Sequence, residues 1–135
     1  MKFLPVYFTN KQIENDSYVD IQEVQYKPKI KFNVPANKFY TVLMVDPDAP
    51  SKDNPENKHW LHWMIINNNN TIVDFQPSSP PIGSGEHRYF IYLLEQQKEI
   101  KVPTAYPRQK FPIDSFIKKY NLKPIASAMY KTEKK

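Results

Sequence analysis

Cysteine is absent from the 135 residues, so disulfides and thiol catalysis are excluded and any metal site would depend on His, Asp and Glu. Glycine is nearly absent as well: there are two, Gly83 and Gly85, where average usage would give about nine. No apolar stretch approaches the roughly eighteen residues that would span a bilayer. Met1 to Asn10 has no long apolar middle or small-residue cleavage site, so the expected location is cytoplasmic. A P-loop is excluded because no Gly-Lys-Ser/Thr ending follows the glycines, and a serine-hydrolase elbow because no Gly-x-Ser-x-Gly occurs. No enzymatic activity and no cofactor are expected.

Proline is plentiful, at thirteen residues. The length suits one domain spanning residues 1–135, large enough for one core. Nineteen Lys and Arg against fourteen Asp and Glu give a net charge of +5, which favours acidic partners. With no block of five like charges, a specific nucleic-acid partner is not expected. The expected state is a monomer.

Apolar residues alternate with period two at Ile30, Phe32 and Val34. Phe39 to Val45 is a run of β-branched and aromatic residues. Further strands are expected over Tyr18 to Gln25, Trp60 to Ile66, Thr71 to Phe75, Arg88 to Leu94 and Ile125 to Tyr130. Asn67 to Asn70 reads as a hairpin loop, since Asn tolerates left-handed backbone angles. Ile113, Phe116, Ile117 and Tyr120 form one helical stripe. Pro103, Pro107 and Pro112 mark an irregular connection before it. The fold class is mainly β, an antiparallel β-sandwich with one or two short helices near the C-terminus.

Three segments carry candidate site residues. Asp46-Pro47-Asp48-Ala49-Pro50 follows a strand, so two carboxylates sit in a turn stiffened by two prolines; alone it also reads as an ordinary strand-capping turn. In Trp60-Leu61-His62-Trp63, alternation puts Trp60, His62 and Met64 on one face and Leu61, Trp63 and Ile65 on the other. His59-x-x-His62 is not read as a metal site, because strand residues three apart face opposite ways. The two glycines close Pro80-Pro81-Ile82-Gly83-Ser84-Gly85, where a turn or a close ligand approach is needed. Glu86-His87-Arg88-Tyr89 then opens a strand on which His87 and Tyr89 share a face, while Arg88 points away and reads as an ion-pair partner within the fold. Imidazoles, a phenol and free backbone N–H groups can donate to phosphate oxygens, and a carboxylate can orient a histidine.

Asp46-Pro47-Asp48-Ala49-Pro50-Ser51, the Trp-x-His strand and Gly85-x-His87-Arg88-Tyr89 together resemble the phosphatidylethanolamine-binding protein family, over about Tyr18 to Tyr130. Leu61-His62-Trp63, Arg108-Gln109 and Tyr120-Asn121-Leu122 look like its plant flowering-time branch. The resemblance implies a β-sandwich with a small pocket for phosphate, phospholipid head groups or phosphorylated side chains. That pocket would use Asp46, Asp48, Trp60, His62, His87 and Tyr89, with Pro80, Pro81, Gly83 and Gly85 supplying the loop, and a cis peptide before Pro50. It also implies a regulator of signalling partners such as kinases, and inhibition of serine proteases. An interaction protein with a vestigial pocket is the alternative. Many members carry glycine where this chain has Ser78 and Ser79, which weakens backbone donation there. Animal members continue into a C-terminal helix, so a more open pocket is expected here.

Overall fold

Runs of β-branched and aromatic residues set the strands, and turns fall where Asn, Asp and Pro interrupt them. The computed structural model describes residues 1–135. Its strands are β1 (Lys2–Phe3), β2 (Val6–Phe8), β3 (Lys11–Gln12), β4 (Ser17–Tyr18), β5 (Lys29–Ile30), β6 (Phe39–Asp46), β7 (Trp60–Ile66), β8 (Asn70–Val73), β9 (His87–Gln96) and β10 (Lys123–Thr132), with one helix, α1 (Ile113–Lys119). Six strands form a path in the order β1-β10-β9-β6-β7-β8, and β4 adds to β10; a second sheet runs β3-β2-β5. Pairing is antiparallel except where β1 and β4 lie parallel to β10.

Each face of the large sheet is covered, so its central strands are buried on both sides. On one face Leu4, Val6, Phe8, Ile13 and Val24 pack against Val42, Met44, Ile91 and Tyr130. On the other, Phe111, Ile113, Phe116 and Leu122 cover Leu43, Val45, Leu61 and Leu94. Full burial of each large apolar side chain contributes about 1.5–3 kcal/mol, so these two layers dominate the stability. This is the expected mainly β fold, with the small sheet on one face and α1 on the other. Asp114 at the start of α1 and Lys118 and Lys119 at its end complement the helix dipole. Asn121, at φ +52°, turns the chain back into β10.

Three expectations change. Tyr18 to Gln25 is not a strand: only Ser17–Tyr18 pairs, and Ile21–Val24 is a 3-10 turn whose Asp20 carboxylate accepts the Gln22 N–H at 3.0 Å. That local bond offers the backbone an alternative to a ladder, and it places the second helical element near the N-terminus. Of the Ile30, Phe32 and Val34 alternation only Lys29–Ile30 pairs, while Phe32 packs edge-on against Tyr40 and Val34 is exposed.

The third change lies in β7. Met44 pairs with Trp63 and Val45 with Leu61, which leaves His62 as the extra residue of a β-bulge. The bulge resets the alternation. Trp63 and Ile65 join the face of His62, whereas Met64 packs with Leu61 and Ile66 on the opposite face. The hairpin after it is as expected, with Asn67 and Asn68 at φ +51° and +71°.

Candidate functional site

Because β6 lies between β7 and β9 and runs antiparallel to both, the end of β6 and the starts of its two neighbours meet at one edge of the sheet. This edge brings together Asp46, Trp60, His62, His87 and Tyr89. With Pro80, Pro81, Gln76 and Asn57 they line a cavity of about 280 Å³. It is near the lower limit of ligand pockets, roughly 300 Å³.

His62 is held from two sides. Its Nδ1–H donates to the Gln76 carbonyl at 2.6 Å, and the Gln76 N–H donates back to the His62 carbonyl at 2.9 Å. The Arg108 guanidinium donates to the carbonyls of Leu61, His62 and Asp74, which fixes the backbone behind the ring. With Nδ1 engaged, Nε2 is the ring nitrogen left for a ligand. Burial pushes the imidazole below its ordinary pKa, against the Gln76 hydrogen bond and the Asp46 charge, which favour protonation.

His87 is fixed differently. Nδ1 lies 2.7 Å from Asp46 Oδ2 and Nε2 lies 3.0 Å from Ser84 Oγ, so both nitrogens already have partners. The other oxygen of Asp46 accepts the Asp48 N–H at 2.7 Å. The Tyr89 ring stacks between His87 and Tyr130 and meets His62 edge-on at 5.3 Å. Burial drives its phenol pKa well up, with the Asp46 charge adding to the effect, so the hydroxyl remains a donor at every ordinary pH. The Trp60 indole N–H is taken by Gln76 Oε1 at 2.6 Å, which makes Trp60 a wall of the cavity.

Three anticipated residues lie outside the lining. Asp48 turns away from the cavity, and its carboxylate accepts the Arg88 N–H, Nε and Nη2 at 2.8, 3.0 and 2.9 Å. Burial would raise its pKa, but the Arg88 hydrogen bonds and charge outweigh that and hold it below the usual carboxylate range. Arg88 is thus the ion-pair partner its place on β9 indicated. Gly83 and Gly85, at φ +84° and +82°, shape the loop without lining the cavity, and the peptide before Pro50 is cis. Gln76 was not legible in the sequence, since its principal contribution is a backbone carbonyl. Ser78 is also buried, 2.6 Å from the Tyr130 hydroxyl. No group of three His, Asp or Glu side chains converges as a metal site would require.

Chemically, the cavity offers the Tyr89 hydroxyl and His62 Nε2, which accepts while the ring is neutral and donates once it is protonated, beside a carboxylate–imidazole pair and apolar walls. Such a set can hold an oxygen-rich anion.

Residues 4–71, just over half the chain, match the family described as Phosphatidylethanolamine-binding protein. A phosphatidylethanolamine-binding protein homologue of Acanthamoeba polyphaga mimivirus is 42% identical over 137 residues, covering 96% of each chain. Two solved structures share the fold. A carboxypeptidase Y inhibitor, complexed with its cognate proteinase, has a TM-score of 0.83 at 22% identity, covering 98% of this chain and 83% of that one. The phosphatidylethanolamine-binding protein of Plasmodium vivax has a TM-score of 0.80 at 18% identity, covering 98% and 85%. On the profile match and the viral relative, the chain belongs to the phosphatidylethanolamine-binding protein family.

Proposed function

We propose that this chain is a non-catalytic binding module, without a cofactor, that holds a phosphate-type anion or a phosphatidylethanolamine-like head group in the cavity. Occupancy then regulates a signalling partner such as a protein kinase. The observation that carries the reading is the placement of His62 Nε2, a donor once its ring is protonated, and Tyr89 beside His87–Asp46 in a head-group-sized hollow. Asp46 and Gln76 set the two imidazoles, Trp60, Pro80 and Pro81 wall the space, and Asp48, Gly83 and Gly85 support the loops around it. Ile82, 71% exposed on the loop that forms one wall, is placed to meet acyl chains when a head group is bound. No helix is long and apolar enough to cross a membrane. The proposal places the chain in the cytoplasm as a monomer.

Titration with inorganic phosphate, phosphoethanolamine and a phosphoserine peptide tests this, read by NMR of the histidine rings and by calorimetry. Binding should perturb His62 and His87 together, and His62→Ala should abolish it. Unperturbed His62 and His87 resonances at millimolar concentrations of all three ligands would overturn the reading.

A second reading, protease inhibition, is favoured by the likeness to the carboxypeptidase Y inhibitor along nearly the whole chain. Inhibition of a protease in a panel assay that survives His62→Ala would support an interaction surface that does not need the cavity. Loss of inhibition with that substitution would tie the two functions together.

A further inference from the structure

At the rim of the cavity a carboxylate, an imidazole and a hydroxyl stand in a line. Asp46 Oδ2 lies 2.7 Å from His87 Nδ1, and His87 Nε2 lies 3.0 Å from Ser84 Oγ. These are the contacts that activate a serine: the carboxylate holds the Nδ1–H tautomer, and Nε2 faces the hydroxyl as a base. Asp46 and His87 are buried, with side-chain exposures of 4% and 1%, whereas Ser84 is partly exposed. The base is therefore shielded from water while its target remains reachable. The Asp48 N–H bond to Asp46 Oδ1 keeps the carboxylate from rotating away.

Two further features suit Ser84 to this role. Its hydroxyl can donate either to the Pro81 carbonyl, at 2.6 Å, or to Nε2, and only the hydrogen must move between them. It also sits between the two glycines of the chain, both with left-handed backbone and nothing within 4 Å of an added Cβ, so the backbone on either side of it is uncrowded. The backbone N–H groups of Gly85 and Glu86 donate to no group in the fold, and both residues are exposed.

We propose that Ser84 is a nucleophile, with His87 as its base and Asp46 as a positioning residue, that accepts an acyl or phosphonyl group from an activated ester. As Oγ attacks, its proton passes to Nε2. The Oγ–C or Oγ–P bond forms, and the bond to the leaving group breaks. The leaving group departs as an alkoxide that takes the proton from Nε2, or as fluoride from a fluorophosphonate, and nothing is oxidised or reduced. The transfer is a single covalent event and does not depend on an anion occupying the cavity, so it stands or falls separately from the binding reading.

A fluorophosphonate probe tests it on the full chain, with intact mass and peptide mapping as readouts. One adduct is expected, on Ser84, and Ser84→Ala should abolish it while leaving the melting temperature unchanged. His87→Gln should slow labelling by about 10²–10⁴-fold, the usual contribution of a general base. Asp46→Asn, folded by thermal melting, should slow labelling at least about tenfold and shift its pH–rate profile, which a merely structural role would not do. The proposal is overturned if Ser84 remains unlabelled when a control serine hydrolase is fully modified, or if several serines label as fast as Ser84. Labelling at the wild-type rate in folded His87→Gln would overturn it as well. Since His87 is buried and its variant can lose the fold, labelling of the unmodified chain with the Ser84→Ala control decides the question by itself.

Discussion

Replacing Asp48 by Asn should lower stability without weakening anion binding. The side chain is 3% exposed and accepts three hydrogen bonds from Arg88, at 2.8, 3.0 and 2.9 Å. Hydrogen bonds to a charged group contribute about 1.5–3 kcal/mol net. The Arg88 side chain is 40% exposed and can turn to water, so the loss stays below the cost of fully stranding a buried charge. About 2 kcal/mol is expected at pH 7, or roughly 6–10 °C in melting temperature for a domain of this size. The sign of the pH dependence follows from the lowered pKa. Asp48 contributes fully above its unfolded value of 3.8 and loses that contribution as pH falls through its folded value. Each pH unit below 3.8 should thus remove at most about 1.4 kcal/mol of the difference between the two proteins. Parallel melts from pH 6 to 2.5, with a phosphate titration at pH 7, provide the assay. A gap that stays constant across this range would refute the assignment of the charge to Arg88. A phosphate affinity lowered more than about tenfold would put Asp48 back in the site.

Phosphate affinity should rise as pH falls through the range in which His62 takes up its proton, by at most about tenfold per unit, because burial lowers the pKa of free His62 and a bound anion raises it; calorimetry on His62→Gln should lose that rise. Tyr89→Phe should weaken phosphate binding by about fivefold, one net hydrogen bond, with no pH dependence up to pH 10 in the wild type that the variant lacks. Asn67→Ala should destabilise by about 2–3 kcal/mol in urea unfolding, since it removes side-chain bonds to both the N–H and the carbonyl of Ile100 and to Gln96 Nε2, and Asn67→Gly, which keeps the left-handed backbone, should separate the two contributions.

Long, strongly patterned segments were legible. β6, β7, β9, β10 and α1 lie within a residue or two of where the periodicity places them. In each, burial on a fixed face demands the pattern, so the pattern reveals the element. The strands of two or three residues at the N-terminus leave no such trace, because a segment that short is held by its partner strands. The bulge at His62 is similarly silent: no residue type marks it, yet it reverses which face Met64 and Trp63 occupy.

Composition, spacing and the three motifs thus determined by themselves the mainly β class, the family resemblance and most of the residues around the cavity, since those properties depend on local chemistry and on which side chains the chain carries. Only the tertiary structure decided how each was used. Asp46 and Asp48 are chemically identical and two residues apart, but the turn sends one to His87 and the other to Arg88. Gln76 enters through its backbone, which no side-chain pattern encodes, and Ser84 gains a base because the loop closes onto a strand start three residues away. Hydrogen bonds act over about 3 Å, so their partners are fixed by the three-dimensional course of the backbone and not by the order of residues along it.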